Sequence, residues 1–112
     1  MFWNKTALTQ SPPTEIEPIE VSIRMARGEV VLIDVREPNE TAAESIPGAL
    51  TMPLSRFDPA VLPKGAVVLT CLGGKRSALA LARCRDAGVA VNAHMLGGLT
   101  AWKAAGLPTT RL

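Results

Sequence analysis

Soft metal ligands and cross-linking groups are scarce in this sequence. Two cysteines among 112 residues cannot build a disulfide scaffold, and one histidine leaves too few ligands for a structural zinc. Cys71, Cys84 and His94 show no close ligand spacing of the C-x-x-C kind. Long hydrophobic runs are also missing. The strongest, residues 30–33 and 66–69, are strand-sized, far short of the about 20 apolar residues of a membrane helix. The start, Met1-Phe2-Trp3-Asn4-Lys5-Thr6, lacks the charged-then-apolar layout of a signal peptide. Twelve Lys and Arg against ten Asp and Glu leave a net charge of +2, too near neutral for nucleic acid or an anionic membrane as the main partner. No internal repeat or low-complexity stretch is present. These absences predict a soluble, reduced, cytoplasmic protein with no metal, no membrane and no nucleic-acid partner. A conspicuous cysteine in it is then reactive or buried rather than cross-linked.

What is present suits one domain. At 47% apolar and 20% charged, the chain can bury a modest core without help from disulfides or metals. Residues 1–13 read as an N-terminal arm: Phe2, Trp3 and Leu8 follow no periodicity, and Pro12-Pro13 disfavours helix on both sides. The remaining residues, 14–112, form the domain. Pro18 opens a helix that Gly28 stops, and residues 30–35 are a β-branched run of the kind covered on both faces. A short helix follows over 38–45, then a turn at 46–49 into a short strand, a loop over 53–63 and a second buried strand over 66–70. The pattern continues with a helix over 77–87 closed by Gly88, a strand within 89–96, a turn at Gly97-Gly98 and a last helix over 99–105. Alternating strands and helices predict an α/β fold, a small parallel sheet with helices on both faces.

Ligands of such sheets gather at the carboxyl ends of strands, where loops enter helix N-termini. Cys71 stands there, followed by Leu72-Gly73-Gly74-Lys75-Arg76-Ser77. Gly73 and Gly74 permit backbone angles that turn several N–H groups toward one centre. Ser77 can cap the helix, whose positive dipole end then faces the same centre, and Lys75 and Arg76 add full charges. A thiol there ionises readily without an activating histidine, and the same nest suits a tetrahedral oxyanion. A glycine-rich, doubly basic loop is a poor place for an inert core thiol. Cys84, by contrast, shares a helix face with Ala80, Leu81 and Ala87 and reads as packing. The helix between Ser77 and Cys84 adds about 10 Å, which puts a Cys71–Cys84 disulfide out of reach. Arg36 and Glu40, four apart, read as an ion pair, and Asp34 as a structural residue with a supporting role left open. His94 reads as a strand-end histidine with no third residue evident to orient it toward Cys71, and Trp102 as helix-face packing.

The segment Cys71-Leu72-Gly73-Gly74-Lys75-Arg76-Ser77 resembles the C-x-x-G-x-R-S loop of rhodanese-like sulfurtransferases. Leu32-Ile33-Asp34-Val35-Arg36-Glu37-Pro38-Asn39-Glu40 and Ile46-Pro47-Gly48-Ala49 look like that family's upstream signatures. Leu96-Gly97-Gly98-Leu99-Thr100-Ala101-Trp102 and Ala105-Gly106-Leu107-Pro108 resemble its closing one. The resemblance implies a three-layer α/β/α domain around a five-stranded parallel sheet. It also implies a cycle in which Cys71 takes the outer sulfur of an anionic donor such as thiosulfate, becomes a persulfide, and passes the sulfur to cyanide, a thiol or a partner protein, with no cofactor. Related phosphatases have a loop one residue longer than the six of 71–76, so the shorter loop favours sulfur chemistry. The alternatives are a sulfur-carrier or regulatory binding module and, further off, an oxyanion reductase or phosphatase. Thr41, where family members often have an aromatic, and Glu44-Ser45, where they often have glycine-histidine, depart from the pattern.

Overall fold

A computed structural model describes residues 14–112; the arm over 1–13, with Phe2 and Trp3, lies outside the described residues. Five strands, β1 (Thr14–Ile16), β2 (Val31–Asp34), β4 (Leu50–Thr51), β5 (Val67–Thr70) and β6 (Ala93–Met95), form one sheet in the order β1-β6-β5-β2-β4. Every pairing in it is parallel. The intervening helices are α1 (Pro18–Ala26), α2 (Pro38–Ala43), α3 (Lys75–Asp86) and α4 (Gly98–Ala104). Two 3-10 turns, Leu54–Arg56 and Pro59–Val61, punctuate the long loop, and Asp58 caps the second by accepting from the Ala60 amide at 2.9 Å. This is the five-stranded parallel sheet and the layered α/β fold that the resemblance implies.

The period of two along the inner strands sorts the core into two halves. Ile33, Val35, Val67 and Leu69 face α3 and the 3-10 segment, where they meet Ala80, Leu81, Cys84 and Phe57. Leu32, Val68 and Met95 face the other way, onto Val21 of α1 and Leu99 and Trp102 of α4. All four residues of the central β5 are buried, so this strand and the residue that follows it are held from both sides.

Three expectations need correction. The short helix ends at Ala43, and Glu44–Ser45 form a strand, β3, antiparallel to β7 (Thr110–Arg111). The Glu44 carboxylate draws the chain out of the helix by accepting from Arg111, Thr109 and Lys103 at 3.0, 2.7 and 2.9 Å. Those partners lie some sixty residues away, where local propensity cannot register them. Helix α3 starts at Lys75, two residues early, with Gly74 in left-handed geometry (φ 110°) as its N-cap. Ser77 therefore stands inside the first turn and does not cap the helix. Finally, Ala87 lies past the end of α3 and is exposed, so Cys84 shares its buried face with Ser77, Ala80 and Leu81.

The start of α4 fixes the loop after β5. The Leu99 amide donates to the Cys71 carbonyl at 2.8 Å and the Thr100 amide to the Leu72 carbonyl at 3.0 Å. Gly98 has φ 60°, and a Cβ added to it would press on the Cys71 carbonyl oxygen and lie 2.5 Å from that of Leu72. Backbone atoms on both sides leave no room to yield. Gly98→Ala is therefore expected to lose at least about 2 kcal/mol, lowering the thermal midpoint by roughly 10 °C. Gly106→Ala is the control: φ is 77° there, but nothing lies within 4 Å of the new Cβ. It should lose only about 1 kcal/mol, the left-handed cost alone. Equal losses in thermal unfolding would show that the α4 contact does not matter.

Candidate active site

Cys71 follows the last residue of β5 and is 1% exposed. The Gly74 amide donates to its Sγ at 3.0 Å, and the Ser77 hydroxyl lies 3.6 Å away. Burial by itself pushes the thiol up, but the amide and hydroxyl of Ser77 and the amides of Gly74 and Arg76 outweigh it, so Cys71 sits below its ordinary value. The N-terminal end of α3 adds its dipole in the same sense. Cys84 meets no such donors, and burial raises it. Both thiols are free.

The two loop glycines do different things. Gly74 needs its φ of 110° to swing the amides onto Sγ, whereas Gly73 has no positive φ and a Cβ there meets nothing within 4 Å. The expectation that both glycines supply special angles holds for Gly74 only. Leu72 is half exposed beside the thiol, and Lys75 is exposed at the start of α3.

The charged residues pair differently from the sequence expectation. Arg36 and Glu40 do not join side chains. Arg36, 3% exposed, turns its guanidinium onto buried Asp34, with Nη2 at 2.9 Å from Oδ2 and Nε at 3.1 Å from both carboxylate oxygens. Its Nη2 also donates to the Glu44 carbonyl at 2.8 Å. A buried guanidinium requires a buried counter-charge, and the end of β2 supplies one. That places Asp34 and Arg36 in the framework under the site. Glu40 instead receives Arg76 through two bonds of 2.7 and 2.9 Å, and also accepts from the Glu37 amide at 3.0 Å. Hydrogen bonds from Arg76 hold its carboxyl at about 2. Arg76 thus anchors the loop to α2.

Ser77 and His94 are brought together by the tertiary structure. His94 Nδ1 lies 2.8 Å from Ser77 Oγ, and its Nε2 lies 3.4 Å from a Glu15 carboxylate oxygen. Sequence reasoning saw neither contact, since Glu15 and His94 meet only through the pairing of β1 with β6. Trp102 is buried, and its Nε1 donates to the Pro108 carbonyl at 2.8 Å, as packing requires. An open hollow of about 510 Å³ lies on the α1 and α4 side of the sheet, lined by Met25, Leu32, Leu50 and Trp102 among others, and Cys71 does not line it. Among the described residues, no helix is long and apolar enough to cross a membrane, and no three of His, Cys, Asp and Glu group so as to hold a metal.

Comparison with known proteins agrees with this geometry. The sequence model described as "Rhodanese-like domain" matches residues 17–105. An uncharacterised protein of Synechocystis is 48% identical over 85 residues, covering 73% of this chain and 48% of that protein. The chain thus spans about half the length of that relative. A protein named sulfurtransferase from Allochromatium vinosum is 37% identical over 98 residues, covering 84% of this chain and 92% of its own. The crystal structure of a rhodanese-related protein from Thermoplasma volcanium superposes with a TM-score of 0.76 at 25% identity, covering 87% of this chain and 97% of that one.

Two outcomes follow from the geometry. Gly74→Ala should slow alkylation of Cys71 by iodoacetamide at pH 7 about tenfold, because an L residue resists φ 110° and the amide ring opens. Gly73→Ala should stay within about twofold of the parent. Equal rates in the two variants would overturn the assignment of the cradle to Gly74. The Glu40–Arg76 pair should stabilise the protein above the ordinary carboxylate value of 4.5 and lose that contribution as pH falls toward about 2, because the folded value is the lower one. With the pair partly exposed to solvent, Glu40→Gln should cost about 1 kcal/mol at pH 7. In urea titrations the gap from the parent should close as the pH falls through that window.

Proposed function

The chain belongs to the rhodanese-like domain family, and from that premise we propose that it is a sulfurtransferase in which Cys71 carries the moving sulfur. The observation that supports this most is the Gly74 amide on Sγ at 3.0 Å, within a set of amides gathered at the start of a twelve-residue helix. Such a cradle favours an anionic sulfur, first as thiolate and then as persulfide.

In the first half-reaction the Cys71 thiolate attacks the outer sulfur of a donor. A bond forms between Sγ and that sulfur, the donor's own sulfur–sulfur bond breaks, and its electron pair leaves with the remainder, sulfite in the case of thiosulfate. The amides of Gly74, Arg76 and Ser77 then hold the persulfide. In the second half-reaction a nucleophile, cyanide or a thiolate, attacks the outer sulfur and releases the Cys71 thiolate. Exposed Lys75 draws the anionic donor to the mouth. The sequence pattern gives Arg76 the same task, but its guanidinium is committed to Glu40, so its part is to hold the loop in shape. Asp34 and Arg36 support the loop from beneath β2 without touching the thiol.

Intact-protein mass spectrometry after incubation with thiosulfate tests this. The parent should gain one sulfur, about 32 Da, and Cys71→Ser should gain nothing. Cyanide or a small thiol should then remove the added mass, with repeated turnover. Loading without turnover would replace the enzyme reading with that of a sulfur carrier serving a partner protein. An alkylatable Cys71 that gains no sulfur from thiosulfate or a persulfide donor, together with hydrolysis of a phosphate ester, would overturn sulfur transfer altogether.

A further inference from the structure

A line of contacts leads from the thiol to the edge of the sheet. Cys71 Sγ lies 3.6 Å from Ser77 Oγ, Ser77 Oγ lies 2.8 Å from His94 Nδ1, and His94 Nε2 lies 3.4 Å from Glu15 Oε2. The sheet register builds this line. In the order β1-β6-β5, His94 pairs with Glu15 on one side and with Leu69, two residues before Cys71, on the other. Ser77 closes the gap from the first turn of α3. Ser77 is fully buried and His94 is 5% exposed, while the Glu15 side chain is 54% exposed. The reaction described above leaves this imidazole unused.

We propose that His94 is a positioning residue that takes up the proton of Cys71 through the Ser77 hydroxyl, with Glu15 orienting the ring. In the thiol form, the thiol donates to Ser77 Oγ and the serine hydroxyl donates to Nδ1. On ionisation the thiol proton passes to Ser77 Oγ as the serine's own proton passes to Nδ1. The products are a thiolate, an unchanged serine and an imidazolium whose Nε2–H faces the Glu15 carboxylate. No electrons change hands and the net charge is constant. The Gly74 carbonyl, 3.1 Å from Ser77 Oγ, competes for the single serine proton, so the line conducts only when Ser77 points to His94. The titratable groups that meet His94 are Glu15 from β1 and, through Ser77, Cys71 after β5. From α3, Arg76 is bound to Glu40 and Lys75 is exposed.

The inference rests on Cys71 being the reacting nucleophile, but its test reads the thiolate and not sulfur transfer. The rate of Cys71 alkylation by iodoacetamide is followed from pH 5 to pH 10 in the parent, His94→Asn and Glu15→Gln. Asparagine offers Ser77 a hydrogen-bonding atom close to where Nδ1 stands but cannot hold the proton. His94→Asn should alkylate about tenfold more slowly at pH 6 and converge on the parent at high pH, with Glu15→Gln between them. Superimposable profiles for His94→Asn and the parent would overturn the proposal. If His94→Asn does not fold, the unaltered protein decides. His94 is the only histidine, so its ring nitrogens are read directly by NMR. At the lowest pH where the parent alkylates readily, the ring should hold one proton more while Cys71 is free than after Cys71 is capped with iodoacetamide. An unchanged ring on capping would overturn the proposal. A protein that shows the coupled profile yet never gains sulfur would remove the sulfurtransferase reading and leave the relay standing.

Discussion

The carbonyl groups of Cys71 and Leu72 accept hydrogen bonds from the Leu99 and Thr100 amides in the first turn of α4. Within a trans peptide the N–H points opposite to the C=O, so these bonds also turn the Leu72 and Gly73 amides away from α4. The Gly74 amide meets Sγ, and φ 110° at Gly74 then bends the chain into α3. The orientation of the cradle is thus set from behind, by a helix that contributes no side chain to the chemistry. Gly98 makes the approach possible, since any Cβ there would meet the two carbonyls.

The cradle favours an anion chiefly through dipoles rather than through full charges. Full charges are placed around it and neutralised in pairs: Asp34 with Arg36 beneath the sheet end, and Glu40 with Arg76 beside the loop. Pairing keeps Arg76 in a fixed position, which braces the first turn of α3 against α2. It also spares the loop a loose guanidinium that could collapse onto the thiolate. Glu44 does similar work at a distance, where one carboxylate holds Lys103, Thr109 and Arg111 and so ties the C-terminal segment to the end of α2. Arg111 holds its carboxyl at about 2, with Thr109 and Lys103 adding to the effect. Thr41 and Glu44-Ser45, the departures from the family pattern, lie in or directly after α2, away from the thiol's own hydrogen bonds. None of the three supplies a hydrogen bond to the Cys71 thiol, whose partners are Gly74 and Ser77.

The inner strands and most of the helices were legible because their signals are local. The β-branched run at 30–35 and the apolar run at 66–70 mark strands covered on both sides, and the glycines that stop α1 and α3 mark their ends. Cys71 was legible for the same reason: a thiol, two glycines and two cations at a strand-to-helix junction form a contiguous pattern. The reading erred where neighbours in space overrule neighbours in sequence. Ser77 reads as a cap because serines commonly cap helices, yet left-handed Gly74 starts α3 earlier and turns the hydroxyl toward His94. Arg36 and Glu40 have helical ion-pair spacing, yet Glu40 takes Arg76 from α3, and Arg36 is left to turn back onto Asp34, two residues before it.

Composition and periodicity therefore determined the class of fold, and the segment from Cys71 to Ser77 marked the thiol as the candidate reactive group, because these signals depend on bonds within a few residues of each other. The tertiary structure alone decided which cation braces the loop, which glycine turns it, and that Glu15, Ser77 and His94 stand in line with the thiol. Those facts arise from strand order and helix placement. Residues far apart in the chain become neighbours when the sheet closes its backbone hydrogen bonds, and no local pattern records which ones will meet.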